Sequence, residues 1–407
     1  MALDIRNSYS VFTVCNIAYL PKALVLANSL MYYDQKKLKV VLFDKKQEFR
    51  HPNEMIEILW VEELGVPNWR QLAFMYDIIE FSTSLKAFIA EQLLQNYEKV
   101  IFLDPDICLY SSVDPILKDL ESNPILLTPH YTTPQPSTDG ESDLAMMRFG
   151  SFNLGFFAVT RSKETLKFLR WWKQRCVDFC FMESQFGLST DQKWVAIAPC
   201  LFESLKISFN LGYNVAPWNT FERLISKNIQ GTFQINNRFQ LIFFHFSNFD
   251  PQDPQYLNKR GSSQTSADYP VLQELANEYS GRLIEYSSKV DAVPYTFDKM
   301  SDGSYISPTL RRAYAAVRHE LPTEHDPFDS MGPVGKFARK NSLIQKKNKI
   351  YRYPGLRDKQ KYPTVLKLIY TALRSILWLV GPNKFYNLSK LFVYLSIYRL
   401  NRQLWKL

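Results

Sequence analysis

Val100-Ile101-Phe102-Leu103-Asp104-Pro105-Asp106-Ile107 is an apolar, partly β-branched run that stops at two carboxylates. Such a run reads as a buried strand delivering Asp104 and Asp106 to the edge of a sheet. Carboxylates are costly to bury unpaired, so a pair just past a core strand calls for a cation, a proton or a water-filled cleft. In open α/β sheets, ligands bind beyond the carboxyl ends of the strands. Strand residues alternate in direction, so Asp104 and Asp106 share one face, with Pro105 stiffening the turn between them, and together they suit one divalent ion. The same tripeptide also fits a plain turn in which one Asp bonds its own backbone.

The chain around this stretch has 407 residues, enough for one large α/β domain with additions or for two domains. A hydrophobic share of 46% and an aromatic share of 15% supply a core and exclude disorder throughout. The five cysteines are odd in number: Cys15 and Cys108 sit in strand-like runs, and Cys176 and Cys180 have helical rather than metal-binding spacing. A reduced, cytoplasmic chain is expected. Residues 1–10 carry Asp4 and Arg6 and no apolar core, so no secretory signal is expected. Charge is divided unevenly. Residues 336–407 hold 17 Lys or Arg and one acid, Asp358, a net +16, which leaves −7 of the overall +9 for the first 335 residues. The tail's basic residues are interleaved with long aliphatics, which argues against nucleic acid as a partner.

Alternation predicts a first strand over residues 10–15 and a helix opened by Pro21, with Leu24, Ala27, Asn28 and Met31 at near-helical spacing. Asn16 to Leu20 fill the connection with no glycine-rich phosphate loop, so a dinucleotide fold and a Walker-type site are disfavoured. Strands follow at 38–43 and 56–61. A helix at 80–94 is expected to be capped by Ser82 or Ser84, with Leu85, Phe88, Ile89 and Leu93 on one face and Lys86 off it. Residues 124–129 read as a strand, and the polar stretch 130–148 as a lid or a surface insertion. In the strand over 152–159, Gly155 suggests close approach by a ligand or backbone. A helix over 163–181 has Trp171 and Trp172 as core residues; another opens at Asp191-Gln192, capped by Thr190 or Ser189, and a strand from Leu241 ends at His245.

In this order and spacing, Phe12-Thr13-Val14-Cys15-Asn16 with Tyr19, Ser84-Leu85-Lys86, Asp104-Pro105-Asp106, Phe152-Asn153-Leu154-Gly155, Asp191-Gln192 and Phe244-His245-Phe246 resemble the glycosyltransferases of the GT-A fold. The likeness runs from about residue 10 to residue 251 and lies near the family of glycogenin and the bacterial lipopolysaccharide galactosyltransferases. It implies an α/β, Rossmann-like mixed sheet flanked by helices and a nucleotide-sugar donor such as a UDP- or GDP-sugar. By that resemblance Thr13, Asn16 and Tyr19 hold the nucleotide, Lys86 and Gly155 lie near the diphosphate and sugar, and Asp104, Asp106 and His245 ligate Mn²⁺ or Mg²⁺. Asn153, Asp191 and Gln192 match positions lining the acceptor and the reacting sugar carbon, where a carboxylate or amide steadies oxocarbenium-like charge or acts as nucleophile. On their own, His245 also reads as a core histidine and Asp191 as a charge at a helix terminus.

The pattern departs from these relatives in one place. They follow the metal histidine with glycine and then Lys-Pro-Trp, whereas here Phe246-Ser247-Asn248-Phe249-Asp250-Pro251 follows, with Lys259 or Arg260 downstream as substitutes. Retaining or inverting stereochemistry therefore stays open. The Asp-Pro-Asp and His-Phe-Ser-x-Phe-Asp-Pro forms resemble a bacterial branch active in surface-polysaccharide synthesis.

The expected organisation is a catalytic domain over residues 1–260, a helix and hairpin cap over 261–335, and a basic amphipathic helical tail over 336–407. The cap combines a helix at 267–286, an Asp302-Gly303 hairpin turn and a basic-faced helix at 308–320. In the tail, Lys367, Thr371 and Arg374 fall at i, i+4 and i+7 among aliphatics up to Val380, and Gly381-Pro382 ends the run. The run is too short and charged for a membrane span and suits the surface of an anionic cytoplasmic leaflet, aided by Lys346, Lys347, Lys349 and Arg352 and by the apolar segment 385–400. Docking on the catalytic domain or on a second copy in a homo-oligomer is the other reading. The expectation is thus a peripheral enzyme on the cytoplasmic face of the inner membrane, moving a sugar to a hydroxyl of a glycan or lipid-linked acceptor. A haloacid-dehalogenase-type phosphatase is disfavoured because Cys108 stands where that chemistry wants Thr or Val, and the later strand ends in His245 rather than paired acids. A non-catalytic, membrane-associated sugar-nucleotide binder remains a third reading.

Overall fold

The computed structural model describes residues 8–134, 141–257, 269–322, 324–344 and 363–407. Lys259, Arg260, Lys346, Lys347, Lys349, Arg352 and positions 135–140 of the expected lid lie outside them. Two compact units are present, one of Met1–Trp69 with Ile78–Thr296 and one of Arg70–Asp77 with Phe297–Leu407.

The first unit begins with β1 (Tyr9–Cys15), α1 (Leu20–Asp34), β2 (Leu38–Leu42) and β3 (Ile56–Trp60). Helix α2 (Trp69–Met75) carries the chain into the second unit, and α3 (Ile78–Leu93) brings it back. There follow β4 (Lys99–Leu103), β5 (Ile107–Leu109), α4 (Asp114–Ser122), β6 (Ile125–Pro129), α5 (Glu141–Phe149), β7 (Phe152–Thr160) and α6 (Lys163–Phe179). A short hairpin of β8 (Met182–Glu183) and β9 (Leu188–Ser189) precedes α7 (Gln192–Val195) and β10 (Leu205–Ile207). The unit closes with β11 (Ile225–Lys227), β12 (Phe233–Ile235), β13 (Phe239–Gln240), β14 (Phe243–His245) and α8 (Pro270–Ser287).

Seven of these strands form one mixed sheet in the order β10-β6-β7-β4-β1-β2-β3. β1 runs parallel to β2 and β4, while β7 is antiparallel to β4 and β6. The α/β mixed sheet expected from the sequence is therefore observed. All of β2 and all of β1 after Tyr9 is buried, which is why both read as continuous apolar runs rather than alternating ones. Phe102 stacks on Phe157 with ring centroids 5.3 Å apart, and Phe157 meets Trp172 edge-on at 5.0 Å. Trp172 is thus a core residue, as expected.

Two pairings set the carboxylates in place. β4 leaves the sheet beside β7, and the Asp104 N–H donates to Gly155 O at 2.7 Å. β5 then pairs antiparallel with β14, which puts His245 opposite Ile107, and the Phe246 N–H donates to Asp106 O at 2.8 Å.

Several local expectations are corrected. Helix α3 starts at Ile78, so Ser82 and Ser84 lie inside it and donate back to Ile79 O and Phe81 O at 2.9 and 2.7 Å instead of capping. Lys86 is buried rather than riding off the packed face. Thr190 does not cap α7; it sits at φ 47° and its hydroxyl donates to Asp191. The polar stretch after His130 ends in helix α5.

In the second unit, the hairpin reduces to a single bridge, Lys299 to Tyr305, around Gly303 at φ 82°. Helix α9 (Pro308–Val317) is capped by Ser307, whose hydroxyl accepts from the Leu310 N–H at 3.1 Å. Its face is not wholly basic surface: Arg311 is buried and donates to Ala73 O and Phe74 O at 2.9 Å each and to Phe297 O at 2.8 Å. These bonds satisfy carbonyls that the short helix α2 leaves open at its end. Helices α10 (Pro333–Lys340), α11 (Pro363–Val380) and α12 (Pro382–Leu395) complete the unit. The last residues are tied down by Asn341, which exchanges bonds with the backbone of Lys406, and by the Arg402–Glu320 ion pair. Leu368, Trp378 and Leu379 of α11 and Phe392 and Val393 of α12 are exposed. No described helix is long and apolar enough to cross a membrane.

Candidate functional site

Asp104, Asp106 and His245 converge at the end of β4. The His245 Nε2 atom lies 3.1 Å from Asp106 Oδ1 and 3.9 Å from Asp104 Oδ2, and the three side chains form a group able to hold a metal ion. Around a cation with bonds of about 2.1 Å, neighbouring ligand atoms in an octahedral shell are separated by about 3 Å, so these distances fit a shared ion. Two hard oxygens and one imidazole suit Mn²⁺ or Mg²⁺ rather than a thiolate-bound zinc.

Charge around this group is closely balanced. Burial works against the Asp106 carboxylate, yet the charge and hydrogen bond of His245, together with Lys22, hold it well below the usual carboxylate range. Burial also opposes the charge of Lys86, but Asp104 and Asp191 outweigh it and raise the lysine. The Lys86 Nζ donates to Leu154 O at 2.8 Å and sits 3.3 Å from Asp104 Oδ1 and 4.0 Å from Asp191 Oδ2. Asp191 is pushed up to about 6, chiefly by burial, with Lys86 pulling it down and Asp104 pushing it further up. Lys86 therefore joins two carboxylates that sequence reading placed on separate segments.

Gly155 makes room for His245. A Cβ at this position would lie 2.8 Å from both His245 Nδ1 and Asn153 Oδ1, closer than real side chains allow. The close approach expected at this glycine is therefore that of the imidazole ring.

A cavity of about 290 Å³ opens beside the cluster, with Asn16, Tyr19, Phe43, Lys86, Asp104 and Asp106 in its walls. It lies at the carboxyl ends of β1 and β4, where an α/β sheet offers its ligand crevice. Thr13 does not share it: its side chain is buried in β1 and its Oγ1 has no hydrogen-bond partner. Asn153 accepts from the Gly155 N–H at 3.1 Å and from Asn214 Nδ2 at 3.0 Å. The Gln192 amide is held at both ends, donating to Phe149 O at 3.0 Å and accepting from the Leu154 N–H at 3.3 Å.

Three neighbours had no role in the sequence reading. Lys22, in the first turn of α1, is 3.8 Å from Asp106 Oδ2. Asn214 links Asn153 to Thr128, and Trp218 meets the His245 ring edge-on at 5.3 Å. Asp191 Oδ2, Asn214 Oδ1, Trp218 Nε1 and His245 Nδ1 are buried without hydrogen-bond partners. Unsatisfied polar atoms are expensive, and several of them around one cluster mark where a polar ligand completes the bonding.

No protein-family profile matches the chain. Two curated proteins of Bacillus subtilis (strain 168) are similar: the uncharacterized protein YfnF, 25% identical over 219 residues (53% of this chain, 71% of that protein), and the uncharacterized protein YfnD, 23% identical over 252 residues (60% and 78%). Among solved structures, the chain resembles the galactosyltransferase LgtC in complex with donor and acceptor sugar analogs, with TM-score 0.40 and 14% identity over 70% of this chain and 97% of that one. It also resembles the glycosyltransferase GlyE of Streptococcus pneumoniae TIGR4, with TM-score 0.37 and 16% identity over 70% and 64%.

Proposed function

We propose that this chain is a metal-dependent glycosyltransferase that moves a sugar from a nucleotide-sugar donor to a hydroxyl of a glycan or lipid-linked acceptor in surface-polysaccharide synthesis. The observation that carries this reading is the convergence of Asp104, Asp106 and His245 beside a crevice at the strand ends, with Lys86 joining Asp104 to Asp191. Asp104, Asp106 and His245 would hold Mn²⁺ or Mg²⁺, which when bound neutralises the charge of a leaving diphosphate. Asn16 and Tyr19 line the part of the crevice suited to the nucleoside. Lys86 fixes the carboxylates and keeps positive charge at the phosphate end. Asp191, with one oxygen unbonded, faces the same charged group and is the carboxylate best placed to steady positive charge on a sugar carbon. Gln192 and Asn153 position it by holding the backbone of Leu154 and Gly155. The exposed apolar residues of α11 and α12, among lysines and arginines and no acid, support residence on the anionic cytoplasmic leaflet, where a lipid-linked acceptor is found.

The test is release of nucleoside diphosphate from a panel of UDP- and GDP-sugars with and without Mn²⁺. Release that needs the ion and rises with added acceptor is expected. A non-catalytic binder would show ion-dependent binding with no release, and a phosphatase would act on phosphomonoesters instead.

A further inference from the structure

We infer that Lys22 supplies a second, movable positive charge to the departing diphosphate, distinct from the fixed charge of Lys86; this rests on the glycosyl-transfer reading above. The two lysines contact different members of the carboxylate pair, Lys86 touching Asp104 and Lys22 touching Asp106, and differ in how they are held. Lys86 has a side chain only 5% exposed, donates to Leu154 O and lies between Asp104 and Asp191. To follow a phosphate oxygen it would have to leave a buried carbonyl unpaired. Lys22 is 16% exposed and makes no hydrogen bond with a described residue. Its ammonium has two loose contacts, Asp106 Oδ2 at 3.8 Å and the face of the Tyr19 ring at 4.6 Å. Tyr19 and Asp106 both wall the crevice, so Lys22 is in contact with two of its lining residues.

Asp106 divides its oxygens accordingly, Oδ1 toward His245 and Oδ2 toward Lys22. Asp104, Asp106 and Asp191 carry three negative charges, set against Lys86 and the divalent cation that Asp104, Asp106 and His245 would hold. The diphosphate brings negative charge of its own and gains more as the donor breaks, and among the described residues Lys22 is the loosely held cation next to Asp106 that can meet it. In the transfer, the bond from the sugar carbon to the diphosphate oxygen breaks with its electron pair remaining on that oxygen. The acceptor hydroxyl oxygen forms the new bond to the carbon, and the hydroxyl proton passes to the departing diphosphate. A charge that comes into contact only as that oxygen becomes anionic acts on the rate more than on donor binding.

The experiment compares the full chain with its Lys22→Met and Lys22→Arg forms in Mn²⁺-dependent diphosphate release, reading kcat and donor KM separately and following Mn²⁺ affinity by titration. Expected are a fall in kcat of about 100-fold for Lys22→Met with donor KM changed less than about threefold, and a loss in Lys22→Arg of less than about tenfold. Mn²⁺ affinity should be unchanged or tighter in Lys22→Met, since a competing cation has left Asp106. A Lys22→Met enzyme with kcat within about threefold of the unsubstituted chain overturns the inference while leaving the parent reading intact. So does an equal loss in the Arg form, because that result assigns Lys22 to packing. Absence of release by the unsubstituted chain with every donor and either ion overturns the parent reading, and this inference with it.

Discussion

Two regions of this chain depart from the usual sorting of charged and apolar groups, in opposite senses. At the crevice, Lys86, Asp191 and His245 are almost wholly buried, whereas on α11 and α12 Trp378 is 83% exposed and Leu379 72%. Charges stay inside the first unit because they pair with one another across strand ends, and the unbonded atoms among them point to a polar, ionic ligand. Aliphatic and aromatic side chains stay outside on the helical pair in a segment rich in lysine and arginine, the feature behind the membrane-surface proposal.

If the comparison is right, the two regions break independently. The largest effect is expected from Asp106→Ala, which removes a cluster carboxylate and leaves His245 without its 3.1 Å contact. Diphosphate release should fall by about 1,000-fold and Mn²⁺ binding should vanish from a titration; full activity would sink the metal assignment. Gly155→Ala should be next, weakening Mn²⁺ by about 10- to 100-fold, because a methyl group there must push the imidazole aside. On the other region, Leu368→Asp with Trp378→Asp should lower binding to anionic vesicles by at least about tenfold while leaving diphosphate release within about twofold. Removing residues from Lys336 onward is a blunter cut, since it also strips the buried Trp405 and the Arg402–Glu320 pair.

Separate from both regions, a stability effect concerns Asp44, buried at the end of β2 and pushed up to about 6 by that burial, against the pull of its bond from the Ile17 N–H. Its ordinary value is 3.8, so between pH 4 and 6 the folded chain binds more protons than the unfolded one and stability falls as pH rises. The fall should reach at most about 3 kcal/mol by pH 7. Urea unfolding at pH 4.5 and pH 7 should show a smaller difference for Asp44→Asn than for the unsubstituted chain.

What was legible in the sequence follows the range of the forces involved. β4 and its two aspartates could be read directly, because an apolar run ending in acids is a local pattern. The start of α3 was misread because Ser82 and Ser84 look like caps, while helix formation from Ile78 lets their hydroxyls bond backward. Lys86 was given the wrong exposure by periodicity. Its burial is compensated by Asp104 and Asp191, which spacing along one helix cannot reveal. Lys22 meets Asp106 from the first turn of α1, more than 80 residues earlier. Asn214 and Trp218 flank Val215, which bridges to Phe244 of β14, itself paired with β5 more than 100 residues away, contacts that no local pattern shows. The i, i+4, i+7 positions of Lys367, Thr371 and Arg374 gave α11 its polar stripe, but the exposure of nearly all its apolar residues as well could not be read from spacing.

The short helix α2 has a consequence for how the protein is made and cut. Its carbonyls at Ala73 and Phe74 receive their hydrogen bonds from Arg311, more than 230 residues later. During synthesis the ribosome therefore releases α2 long before Arg311 exists. A single protease cut cannot separate the two units, because the chain passes between them at both Trp69–Ile78 and Thr296–Phe297. An isolated first unit would need residues 70–77 replaced by a short polar link, not merely a stop codon after Thr296.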